Sequence, residues 1–184
     1  MKRFFFFALI LAFALGTAGV ALAGDNPLED NEKGVHKTFA DAIPADRMID
    51  VTQFKKIYDE VVAGKRNAYL IDVRTHPEFY AFHIEGTDHV HAGHMYTIPK
   101  MIKDPNAEIV IWCRTSHRAK YVAGFLYKYG YKNVWCYKDG VVGWAAAGHP
   151  FVNQFTGRFT ITEYMKSPSD LEMKGWKIRE FHPY

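Results

Sequence analysis

The chain has 184 residues, nearly half of them hydrophobic, with 23 Lys and Arg against 20 Asp and Glu and a net charge of +3. That is enough apolar material for one domain with its own core, and the near-neutral balance argues against a nucleic-acid partner, which requires a basic face. Two cysteines, Cys113 and Cys136, make at most one disulfide, so they are open to chemistry rather than committed to a stabilising framework.

In chain order, Lys2 and Arg3 precede an apolar run from Phe4 to Ala23, and Ala21, Leu22 and Ala23 before Gly24 form the small-x-small pattern of a signal-peptidase site. Residues 1–23 are therefore expected to be a signal peptide that directs the chain to the periplasm. Left uncleaved, the same run approaches the about 20 residues that span a bilayer and would act as a membrane anchor; its small, Gly-containing end favours cleavage. Cleavage removes Lys2 and Arg3 and lowers the net charge from +3 to +1. Residues 24–47 are polar and carry Pro27, Gly34 and Pro44, which reads as an extended, loosely packed leader.

From Phe54, the apolar positions Ile57, Tyr58, Val61 and Val62 repeat with helical period, with Asp50 or Thr52 as N-cap and Gly64 as a stop. Ala68 to Val73 is a short apolar run expected to form a buried strand. Pro77 opens a helical turn, "HVHAG" reads as a weak strand, and "YTIPKMIKD" reads as a short helix interrupted by Pro99. "EIVIW" is a second buried strand. Ala119, Val122, Ala123, Leu126 and Tyr129 then trace one helical stripe ending at Gly130, "NVWCY" is a third strand, and "DGVVGWAAAG" is a turn with a short helix. Strands alternating with helices at this spacing predict crossover units and a mostly parallel α/β sheet.

Chemistry concentrates at "WCRTSHRA". Cys113 ends a strand and the next residues lead into a helix, the place where ligands bind in parallel sheets and where the helix dipole is positive. Successive N–H groups of residues 114–118 are able to curl around an anion. A sulfur in that cup is stabilised as thiolate by the helix start and by Arg114 and Arg118. The alternative, a small buried packing cysteine, does not explain two arginines within five positions.

These residues resemble the rhodanese-like sulfurtransferases. The resemblance spans residues 48–153 and rests on "LIDVRTHPEFYAFHIEG", "VIWCRTSHRA" and "NVWCYKDGVVGWAAAGHPFV", in that order. It implies a rhodanese-like α/β fold, a mostly parallel five-stranded sheet flanked by helices; residues 154–184 lie outside the resemblance as a C-terminal extension. It implies Cys113 as the nucleophile that takes a sulfane sulfur and becomes a persulfide. Arg114, Thr115, Ser116, His117 and Arg118 would form the donor-binding cup, with the two arginines on the anionic end of a donor such as thiosulfate. The acceptor would be cyanide or a thiol, including that of a periplasmic protein, and no cofactor or metal is implied. Asp72, Arg74 and Glu78 match motif positions whose expected roles are structural: strand end, ion pair and loop anchor. Trp144 and Gly140 are expected as packing and turn residues.

Two features depart from the family pattern. Ser116 stands where many members carry Gly, and "TDHVHAGHMYTIP" is longer and richer in histidine than usual. Six of nine histidines lie between His76 and His117, and strand alternation would put His89 and His91 on one face. No regular metal-ligand motif is present, so a structural or solvated role is favoured over a metal. The related phosphatases and arsenate reductases have a loop one residue longer, because a tetrahedral oxyanion needs a wider ring of donors. Four residues separate Cys113 from Arg118 here. A sulfur-carrying or redox-binding module without turnover is the non-enzymatic alternative. In the family the closing strand neighbours the catalytic strand, so Cys136 is either a disulfide partner that would silence Cys113 or, as favoured, a buried residue facing the core.

Overall fold

The computed structural model describes residues 26–161. The expected signal peptide and the part of the tail carrying Trp176 and Phe181 lie outside the described residues, and among the described residues no helix is long and apolar enough to cross a membrane. The chain falls into two units, divided between Gly34 and Val35. In the first, Lys33 pairs with Glu29 at 3.6 Å and with Asp30 at 3.0 Å along one helical face.

Residues 24–47, expected to be extended, contain helix α1 (Pro27–Ala40) and a 3-10 turn at Ala45–Arg47. The reason is local. The Asn26 side chain accepts from the Leu28 N–H at 3.1 Å, Pro27 opens the first turn, where its missing N–H costs nothing, and Glu29 and Asp30 complement the helix dipole. From Val35 onward the helix also has something to rest on. Phe39 packs on Phe125 with ring centroids 4.1 Å apart and on Tyr121 at 5.5 Å.

The sheet has five strands, β1 (Met48–Ile49), β2 (Tyr69–Asp72), β3 (Asp88–His89), β4 (Ile109–Trp112) and β5 (Val134–Tyr137), in the order β1-β5-β4-β2-β3. Every pairing is parallel, with Ile71 beside Ile111 and Ile111 beside Cys136. Central β4 is buried at all four positions, which is why it reads as an unbroken apolar run.

Its two faces feed two cores. Ile109 and Ile111 join Ile71, Val73 and Cys136 beneath α5 (His117–Tyr129), which contributes Val122, Ala123 and Leu126. Val110 and Trp112 join Tyr137 on the other side, against Phe54 and Ile57 of α2 (Val51–Val62) and Trp144 of α6 (Gly140–Ala146). Asp50 is the N-cap of α2, and it exchanges hydrogen bonds with Gln53 at 2.9 and 3.0 Å. Gly130, in the left-handed region at φ 106°, ends α5 as the sequence predicts.

Three local expectations change. Pro99 does not interrupt a helix: it sits in the first turn of α4 (Ile98–Met101), entered from a 3-10 segment at Ala92–Thr97. Strand β3 stops at His89, so His91 is not on its face and instead caps the 3-10 segment. The end of the expected domain and the start of the C-terminal extension form an antiparallel hairpin, β6 (Phe151–Asn153) with β7 (Gly157–Phe159). The Asn153 side chain holds its turn by accepting from the Phe155 and Thr156 N–H groups at 2.9 and 2.8 Å. Buried Phe151 and the bridge between His83 and Val152 seat the hairpin beside α3 (His76–Ala81).

Gly124 of α5 lies against α1, where a Cβ would collide with the Phe39 carbonyl. Gly124→Ala is expected to push residues 35–40 away. The helix-propensity gain of about 1 kcal/mol acts only within α5 and opens no space. Amide exchange at residues 36–40 should accelerate about tenfold or more while β4 amides keep their protection. Unchanged exchange in α1 would show that this contact does not hold it.

Candidate active site

The sequence passes from β4 to α5 through Cys113, Arg114, Thr115 and Ser116, and two neighbouring elements hold this short loop. From one side, the Val141 N–H at the start of α6 donates to the Cys113 carbonyl at 3.0 Å and the Val142 N–H donates to the Arg114 carbonyl at 3.2 Å. Gly140 permits this approach: its φ is 59°, and a Cβ would strike both carbonyls. In a trans peptide the N–H opposes its C=O, so tying these carbonyls to α6 turns the Arg114 and Thr115 N–H groups away from it.

From the other side, Glu78 reaches in from α3. Its carboxylate accepts from Arg118 twice, Nη1 to Oε2 at 2.6 Å and Nη2 to Oε1 at 2.8 Å. Oε2 also accepts from the Thr75 N–H and hydroxyl at 3.0 and 2.8 Å, closing a capping box at the start of α3. Burial pushes the Glu78 carboxyl up, but the hydrogen bonds from Arg118 and Thr75 prevail and hold it at about 2. Arg118 is correspondingly held protonated, above all by the hydrogen bond to Glu78, against the opposing effect of burial, with smaller support from the Cys113 sulfur that it also contacts.

Beneath this fork lies a second, fully buried pair. Arg74 Nε donates to Asp72 Oδ2 at 2.9 Å, its Nη2 donates to the Phe82 carbonyl at 2.7 Å, and neither side chain of the pair is exposed. A buried pair of this kind sets geometry more than it adds stability. Here it fixes the path from β2 into α3 and so aims Glu78.

The structure brings the residues singled out in the sequence together. Cys113 is 1% exposed at the base of the loop, Arg114, Ser116 and Arg118 are half-buried, and Thr115 and His117 are exposed. Ser116 is the N-cap of α5 and its carbonyl accepts from the Lys120 N–H at 2.9 Å, while its hydroxyl makes no capping bond. His117 carries a partner invisible in the sequence: the ring of His36, from α1, stacks on it with centroids 4.2 Å apart and planes 5° from parallel. Tyr121 meets both rings edge-on.

Cys113 and Cys136 are both free. Cys136 pairs with Ile111 in the sheet and Cys113 lies two positions beyond Ile111, just past the end of β4, so both face the same core. Burial, then the proximity of Cys113, pushes the Cys136 thiol up to about 12, against the opposing charge of Lys120. It is a protonated packing residue at neutral pH.

The rhodanese-like domain family matches residues 50–147. This chain belongs to that family. The fold is similar to that of solved structures. A rhodanese-like domain of an Anabaena protein shares 15% identity at a TM-score of 0.52, over 75% of this chain and 98% of its own. The polysulfide-sulfur transferase homodimer of Wolinella succinogenes shares 21% identity at 0.53, over 70% and 91%. A Rhodopseudomonas palustris protein of unknown function, described as a possible tyrosine phosphatase, shares 17% at 0.53, over 61% and 89%. Helix α1 with His36, and the β6–β7 hairpin, lie outside the span that the family matches.

The depressed Glu78 carboxyl links stability of the rhodanese-like domain to pH. A group lowered on folding stabilises the fold above its unfolded value, near 4.5, and loses that contribution as pH falls toward 2. Glu78→Gln should therefore cost about 1–2 kcal/mol above about pH 5, as expected of a half-exposed charge-assisted fork. The gap to wild type should close as pH falls from 4.5 to 2. Urea unfolding at several pH values measures it, and a pH-independent gap would assign the loss to packing.

Proposed function

We propose that this protein is a sulfurtransferase of the periplasm, exported by its N-terminal signal, in which Cys113 carries a sulfane sulfur between a small anionic donor and a thiol or cyanide acceptor. The observation that carries this reading is the loop itself: only four residues between Cys113 and Arg118, with two carbonyls drawn back onto α6. Such a ring suits a single transferred sulfur better than a tetrahedral oxyanion, which needs a wider ring of donors. The sulfur transferase among the structural neighbours points the same way, and the shorter loop argues against phosphatase chemistry.

With thiosulfate as donor, the Cys113 thiolate attacks the outer sulfur. The S–S bond of thiosulfate breaks and sulfite leaves with the electron pair, so Cys113 becomes a persulfide. An acceptor then takes the outer sulfur and Cys113 returns as thiolate. Splitting the transfer in two replaces one difficult displacement by two easier ones. The N–H groups of residues 114–118 receive the transferred sulfur, and the arginine side chains stand at the donor's sulfonate end. Because Glu78 engages both terminal nitrogens of Arg118, this arginine mainly braces the loop, and Arg114, Thr115, Ser116 and His117 line the approach of the donor.

Incubation with thiosulfate should add one sulfur atom to Cys113 by mass spectrometry and release sulfite when cyanide or a thiol is present; Cys113→Ser should abolish both. Adduct-free wild-type protein, or Cys113-dependent hydrolysis of a phosphate ester or reduction of arsenate, would overturn the reading.

The arginines should separate in kcat/KM for thiosulfate. Loss of a charge-assisted contact is worth about 1.5–3 kcal/mol, or roughly ten- to a hundredfold. Arg118→Ala should lose the most, since loop geometry goes with the charge, and Arg118→Lys should recover only part, because an ammonium cannot make the two-pronged contact with Glu78. Arg114→Ala should lose less. Wild-type values in both alanine variants would remove thiosulfate as the donor.

A further inference from the structure

One group of side chains beside the site is not used by the reaction as described above. His76 opens α3, His89 ends β3, His91 caps the 3-10 segment that follows and His94 stands within it. Their rings meet, His76 with His89 at 4.8 Å, His76 with His91 at 5.7 Å, His76 with His94 at 6.2 Å, and His91 with His94 at 5.6 Å between centroids. Among the described residues no three His, Cys, Asp or Glu side chains are placed to hold a metal ion.

The cluster sits on the working edge of the sheet. The Val90 N–H donates to the Asp72 carbonyl and the Ala92 N–H to the Val73 carbonyl, both at 3.1 Å, while the Val73 N–H donates to the Trp112 carbonyl at 2.9 Å. The histidine segment, the end of β2 and the end of β4 before Cys113 therefore lie in a row. His76 is two residues from Glu78 in the helix that grips Arg118.

The four rings differ in what they are able to do. His89 Nε2 donates to the Arg74 carbonyl at 2.8 Å and the ring stacks on Phe79 at 4.4 Å, so it is a fixed, half-buried support. His91 Nδ1 accepts from the Gly93 N–H at 3.2 Å, so the neutral ring presents Nε2–H as a donor. Burial lowers the His91 pKa first, and the neighbouring His76, His94, His89 and Arg118 lower it further, which keeps the ring neutral. His76 and His94 flank it and are exposed.

We propose, resting on the sulfurtransferase reading, that this cluster is the thiol-acceptor subsite: His91 Nε2–H binds the acceptor sulfur, and His76 or His94 relays the acceptor's proton to the transferred sulfur. The step balances. The acceptor RSH gives its proton to an imidazole, and the resulting RS⁻ attacks the outer sulfur of the Cys113 persulfide anion. The bond between the two persulfide sulfurs breaks, its electron pair stays on Cys113 Sγ, and the imidazolium returns the proton to the transferred sulfur. RSH and the Cys113 persulfide anion become RS–SH and the Cys113 thiolate, with no external oxidant or reductant. The relay also eases a physical difficulty, since the imidazolium formed beside RS⁻ offsets the repulsion between the two anions.

The test separates the two half-reactions. Full-length protein is loaded with thiosulfate, freed of excess donor, and discharged either with 2-mercaptoethanol, which must lose a proton, or with sulfite, which has none to lose at pH 8. General acid–base groups contribute about a hundredfold or more, and the remaining rings and water replace part of this. His76→Gln/His94→Gln should therefore slow discharge by 2-mercaptoethanol about 10- to 100-fold at pH 8 and make its rate follow the thiol's own ionisation. Loading and discharge by sulfite should stay within about twofold of wild type. Unchanged thiol discharge, or equal slowing with thiol and sulfite, would overturn the proposal and leave the cluster a structural one. Wild-type protein that never loads would instead overturn the sulfurtransferase reading, and this proposal with it.

Discussion

The carboxylate of Glu78 is the point on which the rest of the site depends. It caps α3 through Thr75 and grips both terminal nitrogens of Arg118, so one side chain joins the loop after β2 to the loop after β4. Strand pairing and the shared core join two crossover units along their strands, but neither ties their loops to each other at the edge where ligands bind. The fork supplies that tie. Because it is half-exposed, it avoids the full desolvation cost that the Asp72–Arg74 pair below it must meet.

The opposite side of the loop is held by backbone alone. The N–H groups that any helix start leaves unused are here given to the Cys113 and Arg114 carbonyls, and Gly140 allows the close approach. An ionic clamp and a backbone clamp thus act on one four-residue loop from two directions. A sulfur only 1% exposed inside such a frame meets what is small enough to enter, which suits a terminal sulfur atom. Cys136, one strand away and kept as a thiol by burial, adds no competing thiolate.

Misreadings of the sequence came from cues whose meaning depends on position. Pro27 and Gly34 look like breakers, yet a proline in the first turn starts a helix and one interior glycine is tolerated in a helix that packs elsewhere. Pro99 was misread in the same way. The hairpin from Phe151 to Phe159 was missed because each strand has three residues and its turn depends on the Asn153 side chain rather than on a Gly pair. His89 and His91 alternate in sequence, but the strand is two residues long, and the rings gather instead around His76.

Local pattern was sufficient for the elements that frame the site. Apolar runs specified β2, β4 and β5, helical stripes specified α2 and α5 down to the stop at Gly130, and the number of residues between Cys113 and Arg118 is a property of the chain before it folds. These features rest on period, caps and spacing, all contained in a short window. Only the tertiary structure decided the partnerships: Glu78 with Arg118, Gly140 against the carbonyls of Cys113 and Arg114, His36 on His117, and four histidines around one edge. Each joins residues that the crossover topology brings together from separate segments, and a contact set by how the chain closes on itself leaves no mark in any single window of sequence.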